Sequence, residues 1–209
     1  MLRILIADDH TIVRRGLKQI LTEEFSNAVI DEVPDAEELI KKVMAEKWDV
    51  VVSDLSMPGR SGLDALQQIK SSFPDLPVLI LSIHPEEQYA LRALKSGASG
   101  YLSKDTAPDE LVKAVKKVLL GKKYISQSIA EKLADSFSAN TSKQLHETLS
   151  DREFDVMKLL ANGKSVSDIA EMLSLSVTTV STYRARVMTK MNLKSNSDLT
   201  KYAIENKLI

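Results

Sequence analysis

Five short apolar runs divide the first 120 residues: LRILIA (2–7), AVIDEV (28–33), DVVVSD (49–54), PVLILS (77–82) and GYLSK (100–104). Each is followed by a stretch with helical spacing. Val13, Leu17, Ile20 and Leu21 recur on one face, as do Leu39, Val43 and Met44, and then Leu111, Val115, Val118 and Leu119. Asp35 with Glu38 has the spacing of a helix-capping pair and opens the second helical stretch. Alternation of this kind admits few architectures, because parallel strands need crossover helices that cover both faces of the sheet. The third and fourth runs are almost purely apolar, as central strands are. The expected fold is an α/β (βα)5 doubly wound parallel sheet.

The pattern changes near Leu149. LSDREFDVMKLLANG reads as a helix capped by Ser150 and Glu153, with Val156, Leu159 and Leu160 as its stripe, Met157 beside them and Gly163 ending it. SVSDIAEMLSLS gives a short helix (166–173), VTTVSTYRARVMTKM a longer one and NSDLTKYAIEN a fourth, with no strands. Between the two patterns, SFSANTSKQLHET (136–148) is polar and without period, so it reads as a linker. The expected division is a domain over 1–121, a helical extension and linker over 122–148, and an all-α domain over 149–209.

No cysteine is present, which excludes a disulfide framework and a thiolate metal site and fits a reducing cytosol. The N-terminal run is too short for a signal peptide, and no stretch approaches the ~20 apolar residues of a membrane span. A soluble, cytoplasmic protein with no membrane partner is expected. The net charge of −1 hides an asymmetry. Residues 1–121 carry 15 basic and 19 acidic residues, whereas 122–209 carry 13 and 10. The basic excess at the C-terminal end suits a polyanionic partner, although a solvated charged face would look the same.

In an open parallel sheet, function gathers where the strands end. The strand ends here carry Asp8-Asp9, Asp54, Ser82 and Lys104; the second run offers nothing, as befits an edge strand. Three clustered carboxylates need compensation, and a hard dication such as Mg²⁺, sharing its shell with phosphate oxygens, supplies it. Ser82 and Lys104 suit the other oxygens of a phosphoryl group, and Asp54 is then the nucleophile that forms an aspartyl-phosphate. One strand-end Asp is normally a cap or turn former, and one Lys or Ser means little. Agreement at four strand ends is what singles the set out. His84, two residues beyond Ser82, reads as the first turn of a surface helix rather than as a catalytic group.

The same residues carry a resemblance. DD after the first run, DLSMPGRSG after the third, LS after the fourth and GYLSK at the fifth resemble the receiver domain of two-component response regulators over about residues 1–120. The resemblance implies a CheY-like sheet of strand order 2-1-3-4-5 and phosphorylation of Asp54 by a histidine kinase. It implies Mg²⁺ held by Asp9, Asp54 and the backbone carbonyl of Ser56, with Asp8 in support. It also implies a switch pair, Ser82 moving toward the phosphoryl group as Tyr101 turns inward. The spacings of 19 from Ser82 to Tyr101 and 22 to Lys104 match the family. Asp105 departs from it, standing where many members have proline.

In the second half, SVSDIAEMLSLS and VTTVSTYRARVMTKM have the order of a helix-turn-helix. On the longer helix Val177, Val180, Val187 and Met191 share one face and are expected to be buried. Thr178, Ser181, Thr182, Ala185, Arg186 and Thr189 lie opposite, small enough to approach base edges in a major groove. Arg184, Arg186, Lys190 and Lys194 are candidates for phosphate contacts. The pattern alone leaves open an amphipathic helix in a bundle. The wording LSxRExxVxxLxANGxS, then IAxxLxLSxxTVSxYRxRxxxKM, is similar to the LuxR-type helix-turn-helix over 149–209. A receiver followed by this module is the NarL/FixJ arrangement, a transcription factor that binds double-stranded promoter DNA as a homodimer when phosphorylated. Ser181 departs from relatives that place lysine there, so direct readout falls to Ser181, Thr182 and Ala185, with Arg184 or Arg186 near the backbone or a guanine. By the same resemblance Leu199, Tyr202 and Ala203 form the dimer contact; internal packing is the other reading of Tyr202.

Two rivals are open to test. A phosphohydrolase of the haloacid-dehalogenase type also uses a strand-end Asp with Mg²⁺, Ser and Lys, but it needs a second Asp two residues after the nucleophile, where Ser56 stands. A regulator that works without phosphorylation would have lost an acid or the lysine, and all are present. The expected protein is not a turnover enzyme; its chemistry is Mg²⁺-dependent self-phosphorylation.

Overall fold

The computed structural model describes residues 1–127, 129–131 and 144–209. The chain forms two compact units, Met1–Ala139 and Asn140–Ile209. Residues 128 and 132–143 of the expected helical extension and linker lie outside the described residues.

The first unit alternates β1 (Arg3–Ala7), α1 (Thr11–Glu24), β2 (Val29–Val33), α2 (Ala36–Ala45), β3 (Val50–Asp54), α3 (Gly62–Ser72), β4 (Val78–Ser82), α4 (Glu86–Lys95), β5 (Gly100–Ser103) and α5 (Ala107–Leu119). All strand pairs are parallel and the order is β2-β1-β3-β4-β5. β3 and β4 are buried at every position, which explains why their sequences are continuous rather than alternating. One face of the sheet (Ile4, Ile6, Val50, Val52, Leu79, Leu81) packs on Leu17 and Leu21 of α1 and on Leu111, Val115 and Val118 of α5. The alternate residues Leu5, Val51 and Ile80 point to the other face, and Leu39, Val43, Leu63, Leu66 and Ile69 of α2 and α3 are likewise buried.

The chain leaving α5 turns back onto the open edge of β5. Tyr124 pairs with Gly100 in a parallel bridge, Tyr124 N donates to Ser99 O at 2.8 Å, and Ile129 is buried. A Cβ at Gly100 would lie 2.5 Å from Tyr124 O and 2.9 Å from Leu79 Cδ2, so only glycine allows this approach. Residues 122–127, expected to open the helical extension, are thus part of the first unit.

The second unit holds a 3₁₀ turn (Leu145–Thr148) and four helices: α6 (Asp151–Ala161), α7 (Val166–Met172), α8 (Val177–Lys190) and α9 (Asn196–Glu205). Ser150, Ser165 and Ser195 each close a reciprocal capping box, the last two with Asp instead of Glu at the third position. Val180, Val187 and Met191 are buried as expected. Val177 is not: it is 51% exposed, because it is the first residue of α8 and lies beyond the end of the packed stripe.

Candidate functional site

The parallel register places the ends of β1, β3, β4 and β5 side by side, so Asp8-Asp9, Asp54, Ser82 and Lys104 converge at one edge of the sheet. Asp8 and Ser82 are fully buried and Asp54 is 3% exposed. The Lys104 ammonium bridges the two buried acids, 2.7 Å from Asp8 Oδ2 and 2.8 Å from Asp54 Oδ2. The contact to Asp54 is a directed hydrogen bond. The contact to Asp8 is an ion pair of poor hydrogen-bond direction, since Asp8 Oδ2 and Asp9 Oδ1 accept none. Asp54 Oδ1 accepts from Ser56 N at 3.3 Å. Gly62 makes room for this turn, because a Cβ there would fall 1.9 Å from Asp54 O.

Burial pushes the Asp54 carboxyl up to about 6 from 3.8, and Asp8 adds to the rise while Lys104 and the Ser56 amide oppose it. Burial pulls the Lys104 ammonium down, but pairing with Asp54 and Asp8 outweighs it and leaves it above its usual value. At neutral pH Asp54 is therefore a carboxylate facing an ammonium. Ligand atoms of Asp8, Asp9, His10 and Asp54 all lie within 4.8 Å of one another. Buried carboxylate oxygens without a hydrogen bond, facing a single cation, are the donor set that a hard dication takes.

Above the pocket, Ser82 Oγ accepts from His84 N at 3.0 Å, and Tyr101 Oη donates to His84 O at 2.9 Å. Tyr101 is turned inward and 4% exposed, and burial raises its phenol. His84 precedes α4 instead of forming its first turn. Its ring stacks on Tyr89 at 4.7 Å, and its Nε2 lies 2.9 Å from Ser56 Oγ, so it spans the rim of the pocket. The Lys104–Asp105 peptide is trans.

In the second unit, Thr178, Ser181, Thr182, Ala185, Arg186 and Thr189 form one exposed face of α8. The Thr182 and Thr189 hydroxyls donate to the carbonyls of Thr178 and Ala185, leaving oxygen lone pairs and methyls outward. Two of the four expected phosphate contacts are engaged within the unit. Arg184 is half-buried beside the apolar stripe and donates twice to Asn196 Oδ1, at 3.2 and 3.0 Å. Lys190 Nζ lies 2.6 Å from Glu153 Oε2, a buried carboxylate. Burial raises the Glu153 carboxyl, but Lys190 and the Ser150 cap prevail and hold it below the usual range.

The dimer set does not survive as expected. Leu199 and Ala203 have no exposed surface, because they face the interior where α9 packs on α6. Tyr202 is half-buried, its hydroxyl 3.0 Å from His146 Nδ1 in the turn before α6. Ile204 is the exposed apolar residue of α9.

Residues 4–116 match the response regulator receiver domain, and residues 147–203 match the luxR family of bacterial regulatory proteins. The oxygen regulatory protein NreC of Staphylococcus carnosus is 39% identical over 215 residues, which cover 100% of this chain and 99% of that protein. The chain belongs to the NarL/FixJ family of response regulators. Two solved structures extend the likeness. Salmonella enterica serovar Typhimurium RcsB, bound to promoter rprA in the presence of phosphomimetic BeF3⁻, is 28% identical with a TM-score of 0.62, over 97% of this chain and 98% of that one. A LuxR-family two-component response regulator from Aurantimonas is 35% identical with a TM-score of 0.59, over 66% of this chain and 98% of that one.

A response regulator couples an acid pocket to a DNA-binding module, and sequence patterns here pointed to both. Three contributors to the regulator's pocket were missed. His10 Nδ1 lies 2.7 Å from Asp9 Oδ1. Arg14 Nη1 donates to Asp8 O at 2.6 Å, and Arg14 Nε lies 3.7 Å from Glu32 Oε2 on β2. The signal for Arg14 and Glu32 is faint: a carboxylate in an edge strand, opposite a helix whose basic residues lie four apart at Arg14 and Lys18.

Proposed function

We propose that Asp54 is the phosphoacceptor and that its phosphorylation by a histidine kinase controls DNA binding by the second unit. The observation that carries this reading is the single ammonium of Lys104 held between two buried carboxylates at the strand ends. Asp54 is ionised at neutral pH, as a nucleophile must be, yet desolvated enough to be reactive. In the transfer, a carboxylate oxygen of Asp54 bonds to phosphorus as the phosphorus–nitrogen bond of the kinase phosphohistidine breaks, and the imidazole leaves. Lys104 then has a phosphoryl oxygen to neutralise in place of the bare carboxylate. Ser82 donates to another oxygen, giving up its present bond to the His84 amide. Because Tyr101 is bonded to the carbonyl of the same His84, this exchange reaches the ring.

Asp9, Asp54 and the carbonyl of Ser56 would hold Mg²⁺, with Asp8 supporting them, and the bound ion supplies further charge neutralisation for the transferring group. Hard oxygen donors that no hydrogen bond satisfies support that choice. The chain carries out this Mg²⁺-dependent self-phosphorylation without turning over a metabolite.

Phosphorylation shifts an existing equilibrium between receiver conformations toward one that dimerises and occupies paired half-sites in double-stranded promoter DNA. The exposed face of α8 suits the major groove: Thr178, Ser181, Thr182 and Ala185 approach base edges, with Arg186 and Lys194 toward phosphates. Arg184 and Lys190 reach phosphates only from positions fixed by Asn196 and Glu153. Between copies, Ile204 and the rim of Tyr202 make the contact on α9. No helix among the described residues is long and apolar enough to cross a membrane, and the regulator acts in the cytoplasm. Mass spectrometry after incubation with acetyl phosphate and Mg²⁺ tests the acceptor. One phosphate should be gained by the wild type and none by Asp54→Asn; a phosphate retained in the variant refutes the assignment.

A further inference from the structure

We propose that Arg14 is a positioning residue of the phosphoacceptor pocket, clamping the backbone that presents Asp8 and Asp9. Two adjacent carboxylates at a strand end repel each other, and the strand ladder holds them weakly there: the Asp8 amide reaches Val33 O only at 3.3 Å. The turn is secured instead from α1. The Arg14 amide donates to His10 O at 3.1 Å, and its guanidinium donates from Nη1 to Asp8 O at 2.6 Å. The same guanidinium reaches Thr11 Oγ1 from Nη2 at 3.3 Å, while its Nε lies 3.7 Å from Glu32 Oε2. Glu32 is itself held by Lys18 at 2.9 Å. The Arg14 side chain is 13% exposed, so these contacts are largely shielded from water. They add a charged link from the acid turn to the edge strand β2, beside the long bond from the Asp8 amide to Val33 O. A guanidinium has fixed donors in several directions, so Arg14 donates to Asp8 O and Thr11 Oγ1 while its charge faces Glu32, which a lysine ammonium cannot do from one place.

This inference rests on the Mg²⁺ reading of the pocket, and the sign of one effect tests it. Arg14 is a cation beside a cation site. If it acted only through charge, its removal would tighten Mg²⁺ binding. If it positions Asp8 and Asp9, its removal weakens binding, on the order of tenfold as for other groups that orient metal ligands. Calorimetric Mg²⁺ titration of the full chain should show Arg14→Gln about tenfold weaker than wild type and Arg14→Lys in between. Lys18→Gln, which deletes a nearby charge without touching Asp8, should be unchanged or tighter. An Arg14→Gln or Arg14→Lys protein binding Mg²⁺ as well as wild type overturns the proposal, and the lysine variant decides it if the glutamine variant does not fold. Hydrogen exchange on the metal-free chain gives a separate readout. The Asp9 and His10 amides should exchange faster in Arg14→Lys while those of β3 keep their rates; unchanged Asp9 and His10 rates overturn the proposal. A wild type that binds no Mg²⁺ would instead refute the reading of the pocket, and the exchange result would still decide the role of Arg14.

Discussion

The acid pocket and the recognition face of α8 solve opposite problems. The pocket gathers four ionisable groups (Asp8, Asp9, Asp54 and Lys104), three of them buried or nearly so, and each lies within ion-pair distance of another ionisable side chain. The face presents short hydroxyls and a methyl to solvent, and its strongest ion pair, Lys190 with Glu153, lies off to one side. In the pocket, function and stability are opposed, because buried like charges destabilise the fold that holds them. On the face they are independent, because nothing there is buried. Substitutions in the pocket should therefore change stability in a pH-dependent way, and substitutions on the face should change DNA affinity alone.

The sharpest attempt to break that contrast is Lys104→Ala. It leaves Asp8 and Asp54 facing each other without a cation and should cost about 3–5 kcal/mol at pH 8 by denaturant unfolding. The loss should shrink toward pH 4 as the Asp54 carboxyl protonates. A loss that is independent of pH would mean that packing, not charge, dominates the pocket.

Asp54→Asn should act in the other direction. The Asp54 carboxyl is raised to about 6 when folded, against 3.8 when unfolded, so the fold favours its protonated form. In the metal-free wild type, stability from this group is present below pH 4 and is lost as pH rises to about 6. That loss amounts to up to about 3 kcal/mol. The variant, which cannot ionise, should be more stable than wild type by about that amount at pH 7 and equal to it at pH 3.5, as read by thermal melts without Mg²⁺.

On the recognition face, Ala185→Leu adds bulk where base edges must approach. It should reduce DNA affinity at least tenfold, on the order of the 1–3 kcal/mol carried by one base contact, with no change in melting temperature. A change in melting temperature would show that the face is not independent of the fold.

The smallest expected effect belongs to the second unit, beside the recognition helix. Glu153→Gln loosens Lys190 and should cost about 1 kcal/mol, limited by the exposure of the lysine. Because the Glu153 carboxyl is lowered in the fold, this contribution is present above the ordinary Glu range and is lost as pH falls through the lower, folded value. Wild type and variant should therefore converge in acid. Equal stability at pH 7 would remove any structural role for the pair.

The two regions also differ in how far they were legible in the sequence. The pocket is written in strand ends, and strand ends are found from period and apolar runs, so Asp8, Asp9, Asp54, Ser82 and Lys104 could be placed before any coordinates. What escaped there depends on reach across elements. Arg14 acts six residues from its target, and His84 touches Ser56 from the next loop, distances that no local pattern encodes. For α8, period separated buried from exposed positions except at Val177, where the helix end outruns its packing partners. The engagement of Arg184 and Lys190 was hidden because Asn196 and Glu153 lie on other helices. For Leu199 and Ala203, resemblance suggested a surface where period alone, taken with the packing of α9 on α6, places a core. The edge contact of Tyr124 was concealed by its position at the start of a segment that reads as a helical extension.

The central claim is that phosphorylation of Asp54 in the pocket sets the DNA affinity of the α8 face. The direct measurement is the dissociation constant of the full chain for a selected DNA site, at fixed salt and with Mg²⁺, before and after treatment with a small phosphodonor, for wild type and Asp54→Ala. The account predicts that the donor tightens wild-type binding at least fivefold, the low end of ordinary coupling between sites, and leaves the variant unchanged. Equal affinities for wild type with and without donor, once phosphate incorporation is confirmed, would contradict it.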